Sequence, residues 1–148
     1  MTMKLGKVLF PTDFSITSES ALRLATALAR EAGARLVIVH VKHDDIPPPS
    51  DAGPIEIPQG SDEIALTRML HEFVPADNAV ACEHHLLSGD PAEEILRYAE
   101  RQRVDLIVMA THGRTGLSRM LMGSVAEEIV RRAACPVLTV KQPWNPPD

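Results

Sequence analysis

Residues Leu106–Ile129, LIVMATHGRTGLSRMLMGSVAEEI, pass from one periodicity to another through a single connection. Leu106-Ile107-Val108-Met109 is a short continuous apolar run, the pattern of a strand buried on both faces. From Ser124 onward the apolar residues recur at helical spacing, with Val125, Ile129 and Ala133 on the inward stripe. Between strand and helix stand Gly113, Gly116 and Gly123, interleaved with His112, Arg114 and Arg119. A buried strand that feeds a helix is the unit of parallel α/β sheets. Whether that unit recurs along the chain decides the fold.

It recurs on both sides of this stretch. Toward the N-terminus, Lys7-Val8-Leu9-Phe10 reads as a buried strand ending at Pro11. Thr17 or Ser18 is the expected cap of the next helix, with Glu19 in its first turn. Ala21, Leu22, Ala25, Leu28, Ala29 and Ala32 form its stripe, and Gly33 ends it. Arg35–Val41 is the second strand. Ser61 is expected to cap a helix with Leu66, Met69, Leu70 and Phe73 inward. Val80–Leu87 is a third, more polar strand, expected nearer an edge. Asp90-Pro91-Ala92-Glu93 is a helix start with a capping box and proline at the first helical position. Toward the C-terminus, Val137–Lys141 is the last strand.

Five strands alternating with four helices imply one Rossmann-like α/β domain: a five-stranded parallel sheet with helices on both faces. In such sheets a ligand lies beyond the carboxyl ends of the strands, where the winding reverses. If strands one and four are central neighbours, Thr12-Asp13 and the Ala110–Ser124 connection face each other there. Two segments fall outside the pattern. Asp44–Gly60 is proline-rich and is expected to be a flexible loop, and the tail 142–148, with Trp144, is proline-rich too.

Composition narrows the function classes. A chain of 148 residues fits one domain and can bury about 70% of its unfolded surface without a disulfide or metal staple. A net charge of −5 and 3% aromatic residues argue against nucleic-acid binding. No apolar run is long enough to span a membrane, and MTMKLGKVLFPTD has too short an apolar core for a signal peptide, so a cytoplasmic protein is expected. Cys82 and Cys135 lack CxxC partners and read as buried thiols. Adjacent in a strand, His84 and His85 point to opposite faces and cannot chelate one ion together. His40 and His43, near Asp44 and Asp45, read as a solvated loop start rather than a metal site.

The glycine connection carries the chemistry. Glycine lets backbone N–H groups approach a ligand, and a helix N-terminus adds unpaired donors and a positive dipole end, which together favour phosphate. Ser124 adds a hydroxyl, Arg114 and Arg119 charge. The structural alternative is a turn glycine followed by a Ser124–Glu127 capping box that needs no ligand. No P-loop, GxGxxG fingerprint or GxSxG elbow occurs.

Three stretches, VLFPTDFS (8–15), ATHGRTGLSRMLMGSVAEEIV (110–130) and CPVLTVK (135–141), resemble the universal stress protein family. The likeness runs from Lys7 to Lys141 and weakens only in 44–60. The family motif is Gly, two residues, Gly, nine residues, Gly, then Ser or Thr; Gly113, Gly123 and Ser124 match it, and Ala110 replaces the first glycine. The resemblance implies an adenine nucleotide alpha-hydrolase-like fold and ATP as ligand, with or without Mg²⁺. It implies Asp13, beside Pro11 and Thr12, at the nucleoside, and Val41 and Met109 on the two sides of adenine. Ala110, His112, Gly113, Arg114, Gly123, Ser124 and Val125 would line phosphates and ribose. It also implies a homodimer paired through strand 137–141. Residue by residue the alternatives are a turn-forming Asp13, core roles for Val41 and Met109, and loop packing for His112. The implied function is a nucleotide-dependent regulatory or binding module of the stress response, with no dedicated catalytic residue. A slow ATPase or nucleotidyl-transfer enzyme is one alternative. A module that has lost nucleotide and works by protein contacts, as Ala110 would allow, is another. Alanine does not easily adopt φ > 0, so the backbone at 110 decides whether the replacement is benign.

Overall fold

The structure is a computed structural model that describes residues 4–43, 61–111 and 123–141. The expected loop 44–60, the tail 142–148 and residues 112–122 lie outside the described residues. The order is β1 (Lys7–Pro11), α1 (Ile16–Ala32), β2 (Arg35–Lys42), α2 (Ser61–Glu72), β3 (Cys82–Ser88), α3 (Pro91–Arg101), β4 (Leu106–Ala110), α4 (Ser124–Arg132) and β5 (Val137–Val140). The strands form one sheet in the order β3-β2-β1-β4-β5, every neighbouring pair parallel. Strands one and four are therefore the central neighbours, and the winding reverses between them, since β1 leads to β2 on one side and β4 lies on the other.

Alternation along the strands sorts the core into two layers. Val8, Phe10, Leu36, Ile38 and Val108 pack with Ala21, Leu22, Ala25 and Ala29 of α1 and Leu70 of α2. Leu9, Val37, Val39, Val41, Ile107 and Met109 pack with Ala92, Ile95 and Ala99 of α3 and Ala126 and Ile129 of α4. The alanines of α1 let that helix lie close on the sheet.

Several local expectations are corrected. Helix α1 starts at Ile16 with Ser15 as its N-cap, so Thr17 and Ser18 lie inside the helix. Ser18 still serves that end, donating its hydroxyl to the Ser15 carbonyl at 2.6 Å. Ser61 is the first residue of α2, not its cap. Met69 is 39% exposed and Ala32 exposed, because the buried arc on each helix is narrower than the apolar periodicity suggests. On α4 the buried residues are Ala126 and Ile129, with Val125 and Ala133 only half-buried. Its N-cap is Gly123, so Ser124 is the first helical residue and forms no capping box with Glu127. Asp90 caps α3 as expected, accepting from the Glu93 amide at 3.0 Å, with Pro91 at the first position. Cys82 and Cys135 are half-buried rather than buried; partial burial still raises both thiol pKa values. His84 and His85 do take opposite faces: His84 stacks on His71 of α2, His85 lies against Tyr98 of α3.

Candidate functional site

At the carboxyl ends of the central strands lies a cavity of about 290 Å³, near the low end of the about 300–1,000 Å³ typical of ligand pockets. Pro11, Thr12 and Asp13 form its β1 wall, His40 and Val41 its β2 wall, and Met109, Ala110 and Thr111 its β4 wall. Pro91 and Ile95 of α3, Ser18 of α1, and the 123–126 start of α4 complete it. A larger groove of about 540 Å³ lies elsewhere, between α1 and the 72–77 segment. The smaller cavity sits at the switch point and is lined by both described ends of the glycine connection, and it is the candidate site.

The structure brings Pro11, Thr12, Asp13, Val41, Met109, Ala110, Gly123, Ser124 and Val125 together around this cavity. His112, Gly113 and Arg114 lie outside the described residues. Val41 and Met109 are 8% and 7% exposed; they line the cavity and belong to the core at once. Asp13 Oδ1 accepts from the Ser15 amide at 3.0 Å, so the turn-forming role is real, while the residue still lines the cavity.

The two ends of the glycine connection are tied. Gly123 N–H donates to the Thr111 carbonyl at 2.7 Å, and Thr111 N–H donates to Val140 at 3.1 Å. Gly123 itself has φ −69° and ψ 161°, a conformation open to any residue. Among the described residues, a Cβ there would meet only the Thr111 carbonyl oxygen, at an ordinary 3.4 Å. Neither its backbone conformation nor its packing against the described residues thus demands glycine, and Gly123 lines the cavity. Among the described residues no side chain caps α4, whose N-cap is Gly123, whereas α3, also at the cavity, is capped by the Asp90 carboxylate. Ala110 lies in β4 opposite Val140 and is not among the residues with positive φ, so alanine fits the backbone without strain.

Sequence reasoning missed Ser18, His40, Pro91, Ile95, Thr111 and Ala126. His40 is not a solvated loop residue: it lies in β2, half-buried, with Nδ1 2.7 Å from the Thr12 carbonyl. Its place one residue before Val41, the strand's expected ligand contact, was the available signal. Among the described residues, no group of three or more His, Cys, Asp or Glu side chains is placed to hold a metal ion. Among them too, no helix is long and apolar enough to cross a membrane.

A doubly wound parallel sheet with a glycine-edged cavity at its switch point defines a Rossmann-like α/β protein of the nucleotide-hydrolase-like class. The universal stress protein family profile matches residues 4–141, and the chain belongs to that family. Universal stress protein MJ0531 of Methanocaldococcus jannaschii is 36% identical over 93% of this chain and 82% of its own length. The solved structure of MJ0577 superposes with a TM-score of 0.78 at 29% identity, covering 97% of this chain and 100% of that one. A universal stress protein solved in complex with cAMP shares the fold at a TM-score of 0.68 and 23% identity, over 93% and 98% of the two chains.

Proposed function

We propose that this chain binds ATP in the switch-point cavity and acts as a nucleotide-dependent regulatory module of the stress response. The observation that carries the reading is Gly123. It is a glycine that, among the described residues, neither conformation nor packing requires, and it lines the cavity as the N-cap of α4. First-turn amides of a helix that starts at a cavity favour an anion such as phosphate. The apolar walls, Val41 and Met109 with Ile95, suit a flat base. In this reading adenine lies between Val41 and Met109, and Asp13, with Pro11 and Thr12, meets the nucleoside. Ala110, Gly123, Ser124 and Val125, with His112, Gly113 and Arg114, serve the ribose and phosphates. Mg²⁺ accompanies the phosphates only if they carry its ligands, since the described residues offer no carboxylate cluster. An adenine nucleotide is also what the fold neighbour solved with cAMP holds.

The test is the adenine nucleotide content of freshly purified protein, followed by ATP titration calorimetry on wild type and Gly123→Val. Bound ATP in the wild type, lost in the variant while the fold is retained, is the expected result. Wild-type protein that carries no nucleotide and gives no heat with ATP and Mg²⁺ would sink the reading and leave a module that works by protein contacts.

A further inference from the structure

The wall of the cavity that holds Asp13 is built with a backbone cost. Phe14, the next residue, has φ 66°, a left-handed conformation that bulky side chains rarely adopt. Strain of this kind persists only where the surroundings over-determine it, and such residues cluster at functional sites. Here the surroundings are specific. The Phe14 amide donates to Thr12 Oγ1 at 3.0 Å, and the Ser15 amide to Asp13 Oδ1 at 3.0 Å. Ser18 Oγ gives its hydrogen to the Ser15 carbonyl, so the 3.0 Å contact between Thr12 Oγ1 and Ser18 Oγ runs from Thr12 to Ser18. The hydroxyl of Thr12 thereby accepts from one side of the turn and donates to the other.

His40 closes the arrangement from the neighbouring strand. A carbonyl can only accept, so the 2.7 Å contact with the Thr12 oxygen places the hydrogen on Nδ1 of His40. The same ring lies 4.2 Å, centroid to centroid, from the ring of Phe14, which in turn packs at 5.7 Å on Phe73 beyond α2. One imidazole therefore holds both halves of the turn, the carbonyl before Asp13 and the side chain after it. It does so from β2, whose Val41 supplies the adjacent part of the cavity wall.

We propose that His40 is a positioning residue for the nucleoside end of the site: through the Thr12 carbonyl and the Phe14 ring it holds the turn that presents Asp13 to the ligand. This rests on the ATP-binding reading given above. His40 acts through Asp13, so its loss is felt only while Asp13 makes its contact. The test is a double-mutant cycle read by calorimetry with adenosine and ATP, on His40→Phe, Asp13→Ala and the pair, folding being checked by circular dichroism. Phenylalanine keeps a ring against Phe14 and removes the donor to Thr12. His40→Asn keeps a donor near the Nδ1 position and removes the ring.

His40→Phe is expected to weaken adenosine and ATP alike by about five- to tenfold, the usual worth of one hydrogen bond, to recover in part in His40→Asn, and to have no further effect once Asp13 is alanine. Losses that simply add would show that His40 acts independently of Asp13 and would overturn the proposal. So would a His40→Phe protein that binds as wild type does. If His40→Phe does not fold, the cycle is run with His40→Asn, with the same criterion of additivity. Wild-type protein that binds neither ligand removes the ATP-binding reading itself, a different result from wild-type binding with an unaffected variant.

Discussion

Two glycines on opposite sides of the domain separate what a backbone needs from what a ligand needs. Gly33 ends α1 in the left-handed region, φ 65° and ψ 27°, with its amide donating to Arg30 at 3.2 Å. A Cβ there would touch nothing within 4 Å, so the whole penalty of a side chain is conformational. Gly33→Ala is expected to cost about 1 kcal/mol, and Gly33→Asn less, as a shift of the urea midpoint at constant slope. Gly123→Ala is expected to behave oppositely. At φ −69° alanine is at ease, and the gain of about 0.4–1 kcal/mol through the unfolded chain offsets much of glycine's advantage over alanine as an N-cap, so stability is expected to change little while ATP affinity falls. A Gly123→Ala protein that loses more than about 2 kcal/mol in urea would mean that the glycine is structural after all. The sequence held both glycines but not this distinction, because φ is set by the neighbours a glycine acquires on folding. The same holds for Ala110: that alanine fits was decided by its pairing with Val140, thirty residues on by chain position and absent from any local pattern.

At the scale of elements, the helix that read most clearly is also the one whose cap can be tested. Asp90, Pro91 and Glu93 stand in sequence as a helix start; the structure uses Asp90 as the cap and Pro91 at the first position, whereas the Glu93 carboxylate accepts from Arg132 of α4 instead of closing a capping box. Asp90→Ala is expected to cost about 1 kcal/mol and, because Pro91 and Ile95 of that helix wall the cavity, to weaken ATP binding as the first turn frays; stability unchanged in urea would refute it. The start of α1 was misplaced because Ser15, Thr17 and Ser18 are all acceptable caps, and only the fold of the Thr12–Ser15 turn selects among them. Met69 was misread for a related reason: periodicity gives a helix its apolar side but not the width of the surface it meets. In the sheet, Arg35 donates to Glu83 across β2 and β3, and this hydrogen bond, with help from His85, holds the Glu83 carboxyl below its ordinary pKa against slight burial. A depressed carboxylate stabilises the fold above its unfolded pKa, and that contribution is lost as pH falls through the folded value. Both side chains are well exposed, so Arg35→Gln is expected to cost at most about 1 kcal/mol at neutral pH. The difference from wild type should vanish in acid, once Glu83 is protonated; a difference that persists there in urea melts would assign the loss to packing of the Arg35 stem instead.

For the molecule as a whole, the two sheet edges differ. One is β3, whose Glu83, His84 and His85 suit an exposed border. The other is β5, Val137–Val140, apolar but for Thr139, with Leu138 36% exposed and no further strand on its outer edge among the described residues. An open apolar edge invites pairing with another chain. A second copy joined about a two-fold axis closes it with a self-complementary contact. We expect a homodimer through this strand, and Leu138→Lys to shift it to monomer in sedimentation velocity. A wild type that sediments as monomer at all concentrations, or a variant that stays dimeric, would exclude this interface. The same variant bears on the site. Val140 accepts hydrogen bonds from both the amide and the hydroxyl of Thr111, so the edge strand is bonded to the residue that opens the glycine connection. Yet none of the described residues lining the cavity belongs to β5. The Leu138→Lys monomer should therefore still bind ATP. Any change in affinity relative to the dimer measures the coupling between the two surfaces, and ATP must then shift the wild-type dimer constant by the corresponding factor. Affinity lost outright in a folded monomer would instead mean that the partner chain completes the site.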